Sequence, residues 1–203
     1  GLLVKAGNDA NVAALGEMWQ GGGKGYQNVI MVTLGTGVGG GIIINGKILI
    51  GENGAGGEIG HMCVNLEETD TCGCGRHGCL EQYASATGIS RLARKKMEHE
   101  TRATILTKED LSAKAVFDAV KEGDEVAIEV ATEMGNYLGH AMADMAAVLD
   151  PAVFVIGGGV SKAGEVLLSF NKKPFMEKAF FANKNVKFKL ATLGNDAGIC
   201  GAA

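Results

Sequence analysis

One histidine and three cysteines, His61, Cys72, Cys74 and Cys79, stand at the spacing H-x10-C-x-C-x4-C. They lie within Gly57-Glu58-Ile59-Gly60-His61 and Cys72-Gly73-Cys74-Gly75-Arg76-His77-Gly78-Cys79. Three thiolates and an imidazole form a closed tetrahedral donor set, which suits a structural zinc ion and leaves no open position for chemistry at the metal. The intervening glycines let the loop turn tightly enough to aim its sulfurs inward. Two alternatives stand beside this one: His77 as the nitrogen ligand, or reduced cysteines buried as small hydrophobes.

Two glycine-rich segments offer a second kind of chemistry. In Leu34-Gly35-Thr36-Gly37-Val38-Gly39-Gly40-Gly41, the bare backbone at Gly35, Gly37, Gly39 and Gly40 can cradle phosphate oxygens, with the Thr36 hydroxyl as an added donor. A hairpin turn is the competing use. The segment is no P-loop, because the lysine and following serine or threonine are missing and a strand follows. In Val155-Ile156-Gly157-Gly158-Gly159-Val160-Ser161, Gly157, Gly158 and Gly159 sit beyond the carboxyl end of a strand, where α/β sheets bind ligands. Close packing is the other reason for glycine there. Asp9 is a candidate general base, although an aspartate at a helix start is by default an N-cap. Glu58 and Glu81 flank the cysteine cluster, and as pure acceptors they suit the hydroxyls of a sugar.

These residues must be positioned by an alternation of strand and helix patterns, which predicts a mixed α/β fold. Asn8 and Asp9 precede an apolar-periodic stretch, Ala10–Gly16, and predict a capped helix. Val29–Leu34 and Gly41–Asn45 read as two strands joined by the glycine-rich turn, with a third short strand around Lys47–Ile50. Helices are expected near Ser85–His99, Ser112–Glu122 and Asp124–Leu149. In the last, Val126, Val130, Met134, Leu138, Ala141, Met145 and Leu149 recur at spacings of three and four, one apolar stripe that ends at Asp150-Pro151. Val153–Ile156 is a short buried strand followed by a glycine turn and a helix from Ser161. Val186–Leu193 reads as a further strand before a terminal helix. Gly7-Asn8-Asp9-Ala10 recurs as Gly194-Asn195-Asp196-Ala197, each copy at an expected helix start. The second aspartate, Asp196, is read as a helix cap.

At 203 residues the chain can bury a continuous core. Its 32 glycines are the compositional anomaly, and with only two prolines they point to turns and close backbone approach. A formal charge of −4 supplies no basic field for nucleic acid, and Arg91, Arg94, Lys95 and Lys96 read as the wet face of a helix. No signal-peptide pattern and no long apolar run is present, so a cytoplasmic location with no membrane association is expected. Reduced thiols follow, and the five cysteines are metal ligands or buried hydrophobes rather than disulfides.

The Gly57–His61 block with Cys72-x-Cys74-x4-Cys79-Leu80-Glu81 resembles the signature of the ROK family (repressors, open reading frames, kinases). Asn8–Glu17, Thr33–Gly41, Ile156–Ser161 and Leu193–Gly198 match that family in the same order, and together the blocks resemble its bacterial glucokinases nearly end to end. The resemblance implies the actin-like, ribonuclease-H-like ATPase fold, a mixed sheet with flanking helices. It implies that residues 1–203 form the second, larger domain, with a zinc-binding loop at about 58–81 and the amino-terminal domain absent. The activity implied is transfer of phosphate from ATP, with Mg2+, to a hexose, glucose foremost; a domain of this kind alone is expected to be inactive. Residue by residue, Asp9 is implied as the base that takes the proton of the primary hydroxyl, and Asn8 as a ligand of a neighbouring hydroxyl. Glu58, His61 and Glu81 are implied to grip the rest. With one ring nitrogen on zinc, the other nitrogen of His61 carries a proton and only donates, which complements the carboxylates. A homo-oligomer, dimer or tetramer, is expected. The alternatives within the family are a sugar-responsive transcriptional regulator, and a kinase for N-acetylmannosamine or fructose.

Overall fold

A computed structural model describes residues 7–202 of the chain. Five strands form one sheet in the order β3-β2-β1-β4-β5: β1 (Val29–Leu34), β2 (Val38–Ile44), β3 (Lys47–Ile48), β4 (Val153–Gly157) and β5 (Lys187–Leu190). β1 runs antiparallel to β2 and parallel to β4, and β4 runs parallel to β5. Side chains alternate between faces along a strand, and here both faces are buried. Ile30, Val32, Leu34, Phe154 and Ile156 belong to the larger core, beneath α3 (Ala86–His99), α4 (Ala113–Lys121), α5 (Glu125–Leu149) and α6 (Glu165–Lys178). Val29, Met31, Ile43, Val153 and Val155 face the other way, onto Ala14 of α1 (Asp9–Gln20). The terminal α7 (Ala197–Ala202) packs on α1. The mixed α/β fold with flanking helices is as expected.

Helix starts follow their caps: Ser85, Ser112 and Asp124 accept from the third following backbone N–H at the heads of α3, α4 and α5. The α5 stripe is buried from Val126 to Met145, with its last member Leu149 partly buried, and the helix stops at Asp150, which takes a left-handed φ of 44° before Pro151. Four boundaries differ from the sequence reading. β2 begins at Val38 rather than Gly41, so Gly39, Gly40 and Gly41 lie inside the strand. The reason is α1: a β-carbon on Gly41 would lie 2.8 Å from the Ala10 carbonyl oxygen, and one on Gly39 3.4 Å from Ala10 Cβ. The helix rests on bare strand. β3 is shorter than Lys47–Ile50, and β5 stops at Leu190 because Glu17 takes the Thr192 and Leu193 N–H groups that a ladder would use. Gly159–Ala163 is a 3-10 turn, and α6 starts only at Glu165, after Gly164 with φ 81°.

Candidate functional site

His61, Cys72, Cys74 and Cys79 converge, their ligand atoms all within 4.8 Å of one another. His61 Nδ1 is 3.9 Å from Cys72 Sγ, and Cys74 Sγ is 3.6 Å from Cys79 Sγ. A tetrahedron with metal–sulfur bonds of about 2.3 Å has edges of about 3.8 Å; these two pairs are close to that edge, and the whole set, within 4.8 Å, needs to contract only slightly to hold zinc. Cys74 and Cys79 respond oppositely to their surroundings. Hydrogen bonds from the Arg76 backbone and then its guanidinium pull the Cys74 thiol down to about 6, while burial and the neighbouring thiols push Cys79 up to about 12. A divalent cation would relieve the crowding of three thiolates. His77 is outside the set, its Nδ1 3.2 Å from the Asp70 carbonyl oxygen. Cys63 is exposed and also outside it.

The loop is clamped to α3 from behind. Glu68, its side chain only 7% exposed, accepts from the Tyr83 hydroxyl at 2.6 Å and pairs with Arg91. Arg91 also holds Asp70 through Nε at 3.0 Å and Nη2 at 2.7 Å, and Lys95 approaches Asp70 to 2.9 Å. Gln82 closes the circuit, donating to the Asp70 carbonyl at 2.8 Å and accepting from the Cys79 N–H at 3.0 Å. Burial alone would raise the Glu68 carboxyl, but the Tyr83 hydroxyl, the Asp70 N–H and Arg91 outweigh it and hold the group at about 2. Asp70 is likewise lowered to about 2, by Lys95 and then Arg91.

At the carboxyl ends of β1 and β4 a cavity of about 490 Å³ is lined by Asp9, Gly35, Gly37, Gly39, Glu81 and Gly158, with Gly194 and Asn195 from the 3-10 turn before α7 and Gly198 from its first turn. Asn8 is the N-cap of α1: its Oδ1 accepts from Ala10 N at 2.9 Å and Asn11 N at 3.3 Å, while Asp9 Oδ1 also accepts from Ala10 N at 2.8 Å. Asp9 nonetheless lines the cavity, and only one of its carboxylate oxygens is engaged among the described residues. Glu81, at the head of the short α2 (Glu81–Ala84), reaches both flanks. Its Oε2 accepts from Val38 N at 3.1 Å, and its Oε1 is 3.8 Å from Cys72 Sγ. The same carboxylate fills the space that a side chain on Gly37 would need. His61 and Glu81 thus share Cys72 as a neighbour. Glu58 is exposed and precedes the 3-10 turn Ile59–His61; it and His61 do not line the cavity wall that Asp9 and Glu81 share.

The glycines divide by role. Gly40 is buried, and a β-carbon there would lie 2.5 Å from the Gly57 carbonyl oxygen, so its bareness serves packing rather than a ligand. Gly157 packs against Ala191 and Met31. Gly158 has φ 85° and sits over the Leu34 carbonyl. Gly35 and Gly159 have open space where a β-carbon would stand. Thr36 is exposed, and its carbonyl accepts from the Thr87 hydroxyl at 2.9 Å, joining the turn to α3. Beyond Gly159 a second cavity, about 410 Å³, is lined by Ala86, Ser112, Phe117, Val160 and Ala163, with Lys114, Lys121 and Lys162 at its edges. The glycine turn marked one wall, Gly159 and Val160; the other walls lie far apart in sequence and carry no motif. Asn195 was signalled by the tetrapeptide echo and lies in the matching Leu193–Gly198 block, but no role was assigned to it. Asp196 is not the cap the sequence suggested: it ends a 3-10 turn that runs straight into α7, and no hydrogen bond to its carboxylate is found among the described residues.

The model of the ROK family matches residues 1–203. A glucokinase of Halalkalibacterium halodurans is 48% identical over 205 residues, covering 98% of this chain and 62% of that protein. A xylose repressor of Caldicellulosiruptor bescii is 30% identical, covering 98% of this chain and 51% of the repressor. Among solved structures, a ROK glucokinase from Streptomyces griseus, in complex with glucose and AMPPNP, superposes with a TM-score of 0.87. It is 37% identical and covers 97% of this chain and 66% of that one. The chain therefore spans about three fifths of the curated glucokinase it matches at 48% identity. The fold is the actin-like ATPase fold of ROK sugar kinases. With the match running the whole length of the sequence, the chain belongs to the ROK family.

Proposed function

We propose that this chain is the sugar- and nucleotide-binding part of an ATP-dependent hexose kinase, with glucose as the foremost substrate. The observation that carries the reading is the single cavity in which the Asp9 carboxylate faces the bare backbone of Gly35, Gly37 and Gly158. A base and a phosphate-accommodating wall in one cleft are what transfer of a phosphoryl group to a hydroxyl requires. In this reading Asp9 accepts the proton of the sugar's primary hydroxyl as its oxygen attacks the γ-phosphorus and ADP departs. Asn8, Glu58, His61 and Glu81 hold the remaining hydroxyls. Gly35, Gly37 and Gly39 flank the phosphates, and the cavity beside Gly159, with Phe117 and Val160 in its wall, accommodates the base. Magnesium supplies charge neutralisation on the polyphosphate.

Zinc is the metal assigned to His61, Cys72, Cys74 and Cys79, as a structural ion. Nδ1 of His61 is on the metal side, which leaves Nε2 as a proton donor toward a sugar oxygen. The metal then sets the position of a sugar ligand without taking part in the transfer. The proposed kinase reading is tested by following ADP release from the protein at its natural length over a panel of hexoses and N-acetylhexosamines. Turnover should be highest with glucose. A different preferred sugar would reassign the substrate, and no turnover with any would move the chain to the regulators of its family.

A further inference from the structure

Glu17 is a fully buried carboxylate that the proposed chemistry does not use. On the third turn of α1, it accepts from three backbone N–H groups: Gly22 N at 2.7 Å, Leu193 N at 2.8 Å and Thr192 N at 3.1 Å. Two of these donors lie 175 and 176 residues away, in the link between β5 and α7. That link leads directly to Gly194 and Asn195, which form a wall of the cavity holding Asp9. At its other end, α1 carries Asp9. A helix is stiff, so one carboxylate fixes the separation between the base and the opposite wall.

The surrounding backbone makes the connection rigid. α7 lies so close to α1 that a β-carbon on Gly16 would strike the Ala197 carbonyl, and one on Gly201 the Val12 carbonyl. α1 is itself seated on β2 through Gly39 and Gly41. The link at 192–193 is held differently: its N–H groups end on Glu17. We infer that Glu17 is a positioning residue, setting the Gly194–Gly198 wall against Asp9 so that the phosphoryl group and the base are aligned. This inference rests on the kinase reading.

Glu17→Gln presents an amide N–H₂ where a carboxylate oxygen met an N–H, so at least one of the three contacts turns repulsive. Small misplacements of reacting groups cost up to about a hundredfold in rate. The expected result is a fall in kcat of about tenfold or more, while the glucose Kd measured by calorimetry stays within about threefold, because Glu58, His61 and Glu81 hang on the metal loop. A kcat within twofold of wild type overturns the inference, as does a kcat that falls only in step with glucose affinity. Where Glu17→Gln does not fold, Glu17→Asp, one methylene short, carries the same test. Failure of both to fold also overturns it, since Glu17 would then be an anchor of the fold. If the wild type turns over no hexose, the kinase reading fails on its own. Hydrogen exchange then decides: amides of residues 194–198 should exchange faster in Glu17→Gln while those of 10–16 stay protected, and unchanged exchange at 194–198 overturns the inference.

Discussion

At the scale of single residues, the site works through a division of labour that adjacent side chains of similar chemistry make possible. Asn8 and Asp9 are both good helix caps; Asn8 takes the N-cap position, and Asp9 spends one oxygen on Ala10 N while its carboxylate lines the cavity. Asp9→Asn keeps size and hydrogen-bonding reach but removes the proton acceptor. Loss of a general base costs about 10²–10⁴ in rate, so kcat should fall within that range while calorimetry shows glucose binding near the wild-type affinity. A near-normal kcat would remove Asp9 from the mechanism. The choice between the two caps was not legible beforehand, because it depends on the extended ψ of 137° at Asn8 and not on residue type. Glu81 makes the same point. Its place after the last cysteine suggested a sugar acceptor, but its bond to Val38 N and its pressure on Gly37 also make it a brace between metal loop and phosphate turn.

At the scale of elements, the loop bearing His61, Cys72, Cys74 and Cys79 has little secondary structure, so its shape rests on the Glu68–Asp70–Arg91–Tyr83 clamp and, in the proposed reading, on zinc. Protein never exposed to chelator should contain about one zinc per chain, and stripping the metal should abolish glucose affinity as well as lower the melting midpoint. Metal-free protein that remains folded and binds sugar would sink the zinc assignment. The clamp carries its own pH signature. The Glu68 carboxyl is lowered from 4.5 to about 2 on folding, so its contribution is complete above pH 4.5 and fades as pH falls toward 2. Glu68→Gln should therefore melt below wild type at pH 7, and the gap should narrow steadily from pH 5 to pH 3. A gap that is constant with pH would mean that the charge contributes nothing. The ligand set was readable from sequence because four metal-binding side chains at short spacing have few other uses. The clamp was not, since Arg91 meets its partners 21 and 23 residues away with no periodic trace. Gly39 and Gly40 were placed in the turn rather than the strand for a related reason: bareness that admits a phosphate and bareness that serves packing look identical in sequence.

Across the whole molecule, a strip of parallel sheet at β1 and β4 brings two glycine turns together at their carboxyl ends, and helices on both faces hold that strip. The alternation and the α5 stripe made this layering legible; the packing of α6 on α5 was not. Pro174 sits inside α6, and its ring cannot donate to the Phe170 carbonyl four residues back. A β-carbon on Gly135 of α5 would meet that carbonyl, and one on Gly139 would lie 2.7 Å from Pro174 Cγ and 2.9 Å from Phe175 N, with the Asn171 carbonyl closer still. Two glycines one turn apart thus make a groove into which a proline-bearing helix fits. Gly139→Ala sets two effects against each other: helix propensity favours alanine by up to about 1 kcal/mol, and overpacking against a neighbouring backbone costs about 1–3 kcal/mol. The clash involves backbone atoms that no rotamer change can clear, so the upper part of that cost applies and overpacking should win by up to about 2 kcal/mol. At about 2–4 °C per kcal/mol for a chain of this size, calorimetric melting should fall by several degrees. Glucose affinity should stay at the wild-type value, because the groove lies on the sheet face opposite α1. A rise in the midpoint, which propensity alone would produce, would show that α6 can yield and that the groove does not hold the two helices in place.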